Sequence, residues 1–259
     1  MADVHRQEVV PRPAAPPHGW QTGCIDTSWQ ALFTRTAPVA IPLPVLLGIL
    51  AVAAALSLPR STWRWFGLFT TLVHELGHAV AAILTGRVVH GIRIRPNHSG
   101  DAMSSGQGTL GAVVSGVFGY PAPAIVGAAQ LWSVFNGYTA IALFAGGVLL
   151  LLTLVVIRNV FGALIVLASA AVSAALWFYA APVVQGYALL VIGIALIVGS
   201  IRGLGTVIGV HVWRRDQLAT SDAYLLFRRT GVPSPFWLAL FTVLIGGCCV
   251  LAVWSYLSS

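Results

Sequence analysis

Seven apolar runs of bilayer-spanning length, separated by short connections, leave this chain of 259 residues few ways to fold. They lie at about 37–58, 65–86, 108–131, 138–157, 159–181, 185–201 and 236–256. A hydrocarbon core ~30 Å thick is crossed by about 20 apolar residues as a helix, with every backbone amide satisfied inside that helix. Only 8% of the residues are charged, against roughly 25% in a soluble domain. The reading is an all-α polytopic membrane protein with six to seven transmembrane helices. The range reflects 159–181, which follows its predecessor almost without a loop, and 185–201, which is short. Residues 1–36, with Pro11, Pro13, Pro16 and Pro17, read as a disordered cytoplasmic tail without the apolar core of a signal peptide. Residues 37–259 read as one membrane-embedded domain.

All fourteen basic residues are arginines, and their placement sets an orientation. With the N-terminus on one side, that side collects twelve of them and the other only Arg60 and Arg64. The N-terminus is therefore expected in the cytoplasm and the C-terminus outside, in a bacterial plasma membrane. The net charge of +7 reads as topology and contact with the lipid bilayer. No nucleic-acid partner is expected, because the arginines are scattered over short loops rather than gathered on a basic face. Cys24, Cys248 and Cys249 have neither a metal spacing nor a disulfide framework.

Within the second run stands His74-Glu75-Leu76-Gly77-His78. Between Trp65 and Gly86 these are the only ionisable residues. A charged group at mid-helix costs roughly 2.5–3.5 kcal/mol on insertion scales, so three such groups point to use. Positions i and i+4 share a helix face. His74 and His78 can then hold one Zn2+, with Glu75 beside it as general base toward an activated water. A histidine pair that merely bonds neighbouring helices leaves the intramembrane Glu75 unexplained.

Two connections are more than short loops. After the second run, Val89, Ile92 and Ile94 alternate with polar residues, and Pro96-Asn97 and Ser99-Gly100-Asp101 are turn chemistry. A short β-hairpin is predicted here, with Ile92 and Ile94 as candidate substrate contacts by strand addition. Further on, Ser221 and Asp222 are placed to start a short helix that Gly231 and Pro233 end, with Ser221 as N-cap. In the third run, Gly119-Tyr120-Pro121-Ala122-Pro123 interrupts the helical ladder, which at membrane depth requires protein or a wet cavity alongside. Gly119 and Pro121 are candidate substrate-binding residues. Gly111, Gly116, Gly119 and Gly127 permit close approach of another helix, expected to be the one carrying the histidines.

Catalytic zinc usually takes three protein ligands. Acidic residues are so few that Asp222, Asp216 and Asp101 are the main choices for the third, followed by His90, His98, His211 and Asn159.

These residues resemble the site-2 protease-like membrane metallopeptidases (metallopeptidase family 50, B-like branch). The resemblance is carried by His74-Glu75-Leu76-Gly77-His78-Ala79, Leu84-Thr85-Gly86-Arg87, Gly91-Ile92-Arg93 and Ser99-Gly100. It continues through Gly119-Tyr120, Arg158-Asn159 with Gly162, and Ser221-Asp222-Ala223 ahead of Thr230-Gly231-Val232-Pro233 and Trp237. It implies a zinc endopeptidase that cuts transmembrane protein substrates within or near the membrane, with His74 and His78 as ligands and Glu75 as catalytic base. The Leu-Asp-Gly-type motif that supplies the third ligand in better-known relatives is missing. The Ser-Asp-Ala match makes Asp222 the candidate instead. A second class of function is an inactive zinc-holding scaffold that binds single-span partners; the retained Glu75 speaks against it. A metal transporter would want polar ligands on several spans, and the later runs are nearly devoid of them.

Overall fold

The computed structural model describes Arg35 and residues 41–258. The expected tail, apart from Arg35, lies outside the described residues. Helix α1 (Leu43–Ser57) leads into α2 (Arg60–Leu84), which ends in a Schellman motif. There Gly86 takes φ 75°, and Arg87 N–H bonds the Ala82 carbonyl at 2.9 Å. The chain then turns into a hairpin of β1 (Val88–Ile94) and β2 (Gly100–Ser105), as predicted. Its loop closes through Arg95 N–H to Ser99 O at 2.8 Å, with the Asn97 side chain accepting from Ser99 N–H.

The hairpin lies along α2. Ile92 and Ile94 are wholly buried in a cluster with Leu68, Leu72 and Leu76 of α2 and Val166. The outer flank of β1 is occupied. Ile92 bridges to Ile157, and the Asn159 amide both donates to Ile94 O at 2.7 Å and accepts from Ile94 N–H at 3.1 Å. One side chain thus replaces a strand residue.

Helices α3 (Thr109–Val117) and α4 (Ala122–Phe135) are halves of one apolar segment, bent by 62°. The break coincides with the proline pair. Pro121 lacks the N–H that would continue α3, and the freed groups find other partners: Ala122 N–H bonds Gly119 O, and the Ser200 hydroxyl donates to Tyr120 O. Then follow α5 (Thr139–Val156), α6 (Val160–Tyr179), α7 (Pro182–Val212), a 3-10 turn (Arg215–Thr220), α8 (Asp222–Thr230) and α9 (Ser234–Leu257). The main core forms where α4, α7 and α9 pack together, with Val134, Leu190 and Phe241 fully buried.

The six to seven expected spans become five helices long and apolar enough to cross a membrane (α2, α5, α6, α7, α9), or six with the bent α3–α4 pair. The described part of the first run, α1, is a helix of 15 residues and falls short of that length. The short run at 185–201 proves to be the core of a helix of 31 residues. Two arginines also leave their expected side. Arg202 lies inside α7 and bonds the carbonyls of Ser57 and Leu58, on the turn that precedes Arg60. Arg35 bonds the Asn136 carbonyl, at a turn that the same reading puts opposite the N-terminus. The arginine bias is thus weaker than twelve to two.

Candidate metal centre

The C-terminal half of α2 presents His74 and His78 one turn apart, with Glu75 beside them. Close packing of α3 against this face fixes the rings. A β-carbon at Gly77 would overlap the Phe118 carbonyl, and one at Gly119 would overlap both imidazoles. His78 donates Nδ1–H to the Ser115 carbonyl at 2.7 Å, and the Ser115 hydroxyl returns a bond to His78 O at 2.8 Å. That commitment sets the tautomer and leaves the Nε2 lone pair facing inward. The edge of Tyr120 packs on His74, ring centroids 4.7 Å apart, with Phe241 behind it at 5.5 Å.

The third group comes from the far end of the sequence. Helix α8 begins at Asp222, ends at Gly231 with φ 77°, and carries Arg228 and Arg229 in its last turn, a charge order that suits the helix dipole. Leu226 fills the space left by Gly116 on α3, which lays α8 under the histidines. Asp222 Oδ2 then stands 3.4 Å from His74 Nε2 and 3.3 Å from His78 Nε2, and the two Nε2 atoms are 3.1 Å apart. Burial alone would raise the Asp222 carboxyl; the facing His78 and His74 imidazoles outweigh it and hold the carboxyl well below the ordinary carboxylate range.

This triangle fits a zinc ion. Donors about 2.0–2.2 Å from a tetrahedral ion lie ~3.4 Å from one another, close to all three edges observed. Two imidazoles and a carboxylate are also a donor set of catalytic zinc. Without an ion the two Nε2 atoms, 3.1 Å apart, share a hydrogen bond that a cation would replace. All three side chains keep a partial opening, 12–20% exposed. Glu75 is 4% exposed, and its carboxylate rests against Gly100 of β2, where a β-carbon would overlap Oε1.

Among the described residues, no other cluster of this kind forms. His90 bonds the Ser105 hydroxyl at 2.6 Å. His98, at the hairpin tip with φ 64°, stacks on Trp63 and occupies the space that Gly67 leaves open. Burial and then the nearby Arg202 guanidinium lower the His98 pKa. Asp101 is 2.6 Å from the Arg95 guanidinium, close but poorly aligned for a hydrogen bond. Asp216 sits in the 3-10 turn, His211 bonds Ser221, and Asn159 holds β1. Of the four glycines expected against the histidine helix, Gly111 and Gly119 meet it; Gly116 meets α8 and Gly127 meets α7.

The substrate contacts expected from sequence need revision. Ile92 and Ile94 are core residues facing α2 and α6, Pro121 is fully buried in the break, and Gly119 is a spacer for the imidazoles. Alternation along β1 could not distinguish a face toward a guest from a face toward the protein's own helices. The flank of the sheet left open is that of β2, since no third strand pairs with it among the described residues. Sequence reasoning also missed Ser115, whose role rests on a carbonyl and so leaves no side-chain signature.

No curated protein and no solved structure shows a significant match to the chain. A family model does match, over residues 47–252, a span that takes in the histidine helix, the hairpin, the bent α3–α4 pair and Asp222. The chain belongs to the peptidase M50B-like family of membrane metallopeptidases.

Proposed function

We propose that this protein is a zinc endopeptidase that hydrolyses peptide bonds of transmembrane protein substrates within or beside the bilayer. The observation that carries the reading is the triangle of His74 Nε2, His78 Nε2 and Asp222 Oδ2, with Glu75 one residue from a ligand. When bound there, zinc supplies Lewis-acid activation of water and of the scissile carbonyl. His78 is held in one tautomer by Ser115, and Asp222 supplies the anionic arm. Glu75 takes the proton from the attacking water on its carboxylate and returns it to the leaving amine.

The substrate must present an extended backbone, because helical carbonyls are engaged and shielded. The unpaired flank of β2 is the surface for it: Gly100 touches the Glu75 carboxylate, so a strand paired along Gly100–Met103 passes the base and the metal ligands together. Main-chain pairing of this kind is indifferent to much of the substrate's sequence.

Glu75→Gln separates this reading from the inactive scaffold. Metal analysis and cleavage of a single-span substrate are measured on purified wild type and variant. Retained zinc with cleavage reduced by about 100-fold or more is expected. Equal processing by both proteins ends the protease reading, and zinc without turnover in the wild type returns the scaffold.

A further inference from the structure

Ser221 occupies the N-cap position of α8, where a serine hydroxyl ordinarily accepts a bond from the helix's own first-turn amides. Here it makes no such bond. The hydroxyl instead meets His211 Nε2 at 2.9 Å, in the last turn of α7, and Ser221 is 2% exposed. A local cap has been exchanged for a tertiary contact. The residue that follows is Asp222. Its carboxylate reaches the imidazoles from the first position of a helix of nine residues. Leu226, one turn on, fixes the middle of that helix against Gly116, and Ala223, beside Asp222, is fully buried in the core. The Ser221–His211 bond ties down that end, joining it to the long α7, which is packed along α4.

We propose that His211 and Ser221 are positioning residues for the metal centre: their hydrogen bond fixes the start of α8 and so holds Asp222 over His74 and His78. The inference rests on the zinc reading above. Groups that orient ligands from outside the coordination sphere typically change metal affinity by 10- to 100-fold when removed. The pair acts through Asp222 alone, since neither residue reaches the histidines.

The test uses the full chain in detergent and Zn2+ as the only probe, with affinity read by chelator competition. Ser221→Ala and His211→Ala are each expected to weaken zinc by about 10- to 100-fold, and His211→Gln, which retains a side-chain hydrogen-bonding nitrogen, to recover part of that loss. In an Asp222→Asn background the same substitutions are expected to cause no further loss, which a general folding defect would not reproduce. Wild-type affinity in both single variants overturns the proposal, as does an equal loss in the Asp222→Asn background. If Ser221→Ala does not fold, His211→Gln and His211→Ala decide between the same outcomes. His74→Ala separates the two levels. If it loses zinc while the Ser221 and His211 variants keep it, only the positioning role fails; if it keeps zinc, the centre itself is misplaced.

Discussion

The α-carbon of Gly100 packs against the carboxylate of Glu75 so closely that any β-carbon there overlaps Oε1. The catalytic candidate on α2 and the hairpin therefore share one surface, and displacing either moves the other.

Gly100→Ala is the direct test of that contact. The methyl group pushes Glu75 or β2 aside without touching a metal ligand. Cleavage is expected to fall by about 100-fold or more, the usual worth of a placed general base, while zinc content stays at the wild-type level. Full activity in this variant, measured on a single-span substrate, means that the contact has no catalytic weight.

Gly119→Ala acts on the imidazoles instead. Its β-carbon falls on the rings of His78 and His74, which are wedged between α2 and α3. Zinc affinity is expected to drop at least about tenfold, because ligand geometry tolerates little error. Gly205→Ala is the control: a β-carbon there meets nothing within 4 Å, and zinc binding should not change.

Asn159→Leu tests the side chain that stands in for a strand. Ile94 N–H and C=O both lose their partner. Each stranded buried group costs about 1–3 kcal/mol, so a clear fall in thermal stability is expected, with added protease sensitivity in the hairpin. An unchanged melting temperature would mean that water replaces the amide there.

Acid should reveal the state of Asp222. Its carboxyl is held below the unfolded value of ~3.9, so its contribution to stability is complete above that pH and is lost as pH falls through the lower folded value. The thermal stability of metal-free wild type and Asp222→Asn should therefore converge below about pH 4. A gap that persists to the acid limit excludes pairing of the carboxylate with the imidazoles.

Local rules carried the sequence reading far. The histidine spacing, the Gly231 helix end, the hairpin and the proline break all follow from residue chemistry within one element, and the structure has each where expected. What escaped was relational. Hydropathy could not tell that Arg202 continues a helix, because its charge is met by the Ser57 and Leu58 carbonyls and the Trp63 ring from another part of the chain. Ser221 looked like an ordinary cap for the same reason: its partner, His211, lies ten residues away across a turn.

A two-stranded sheet set among membrane helices has two rows of outward amides to reconcile with lipid, and Asn159 with Ile157 closes one of them. The other row, along β2, has no strand beside it among the described residues. Hydrocarbon does not tolerate such a row bare. Along that flank the backbone needs a polar neighbour, water or an added strand, so on the proposed reading the edge that admits a polypeptide is also the edge along which solvent approaches Glu75.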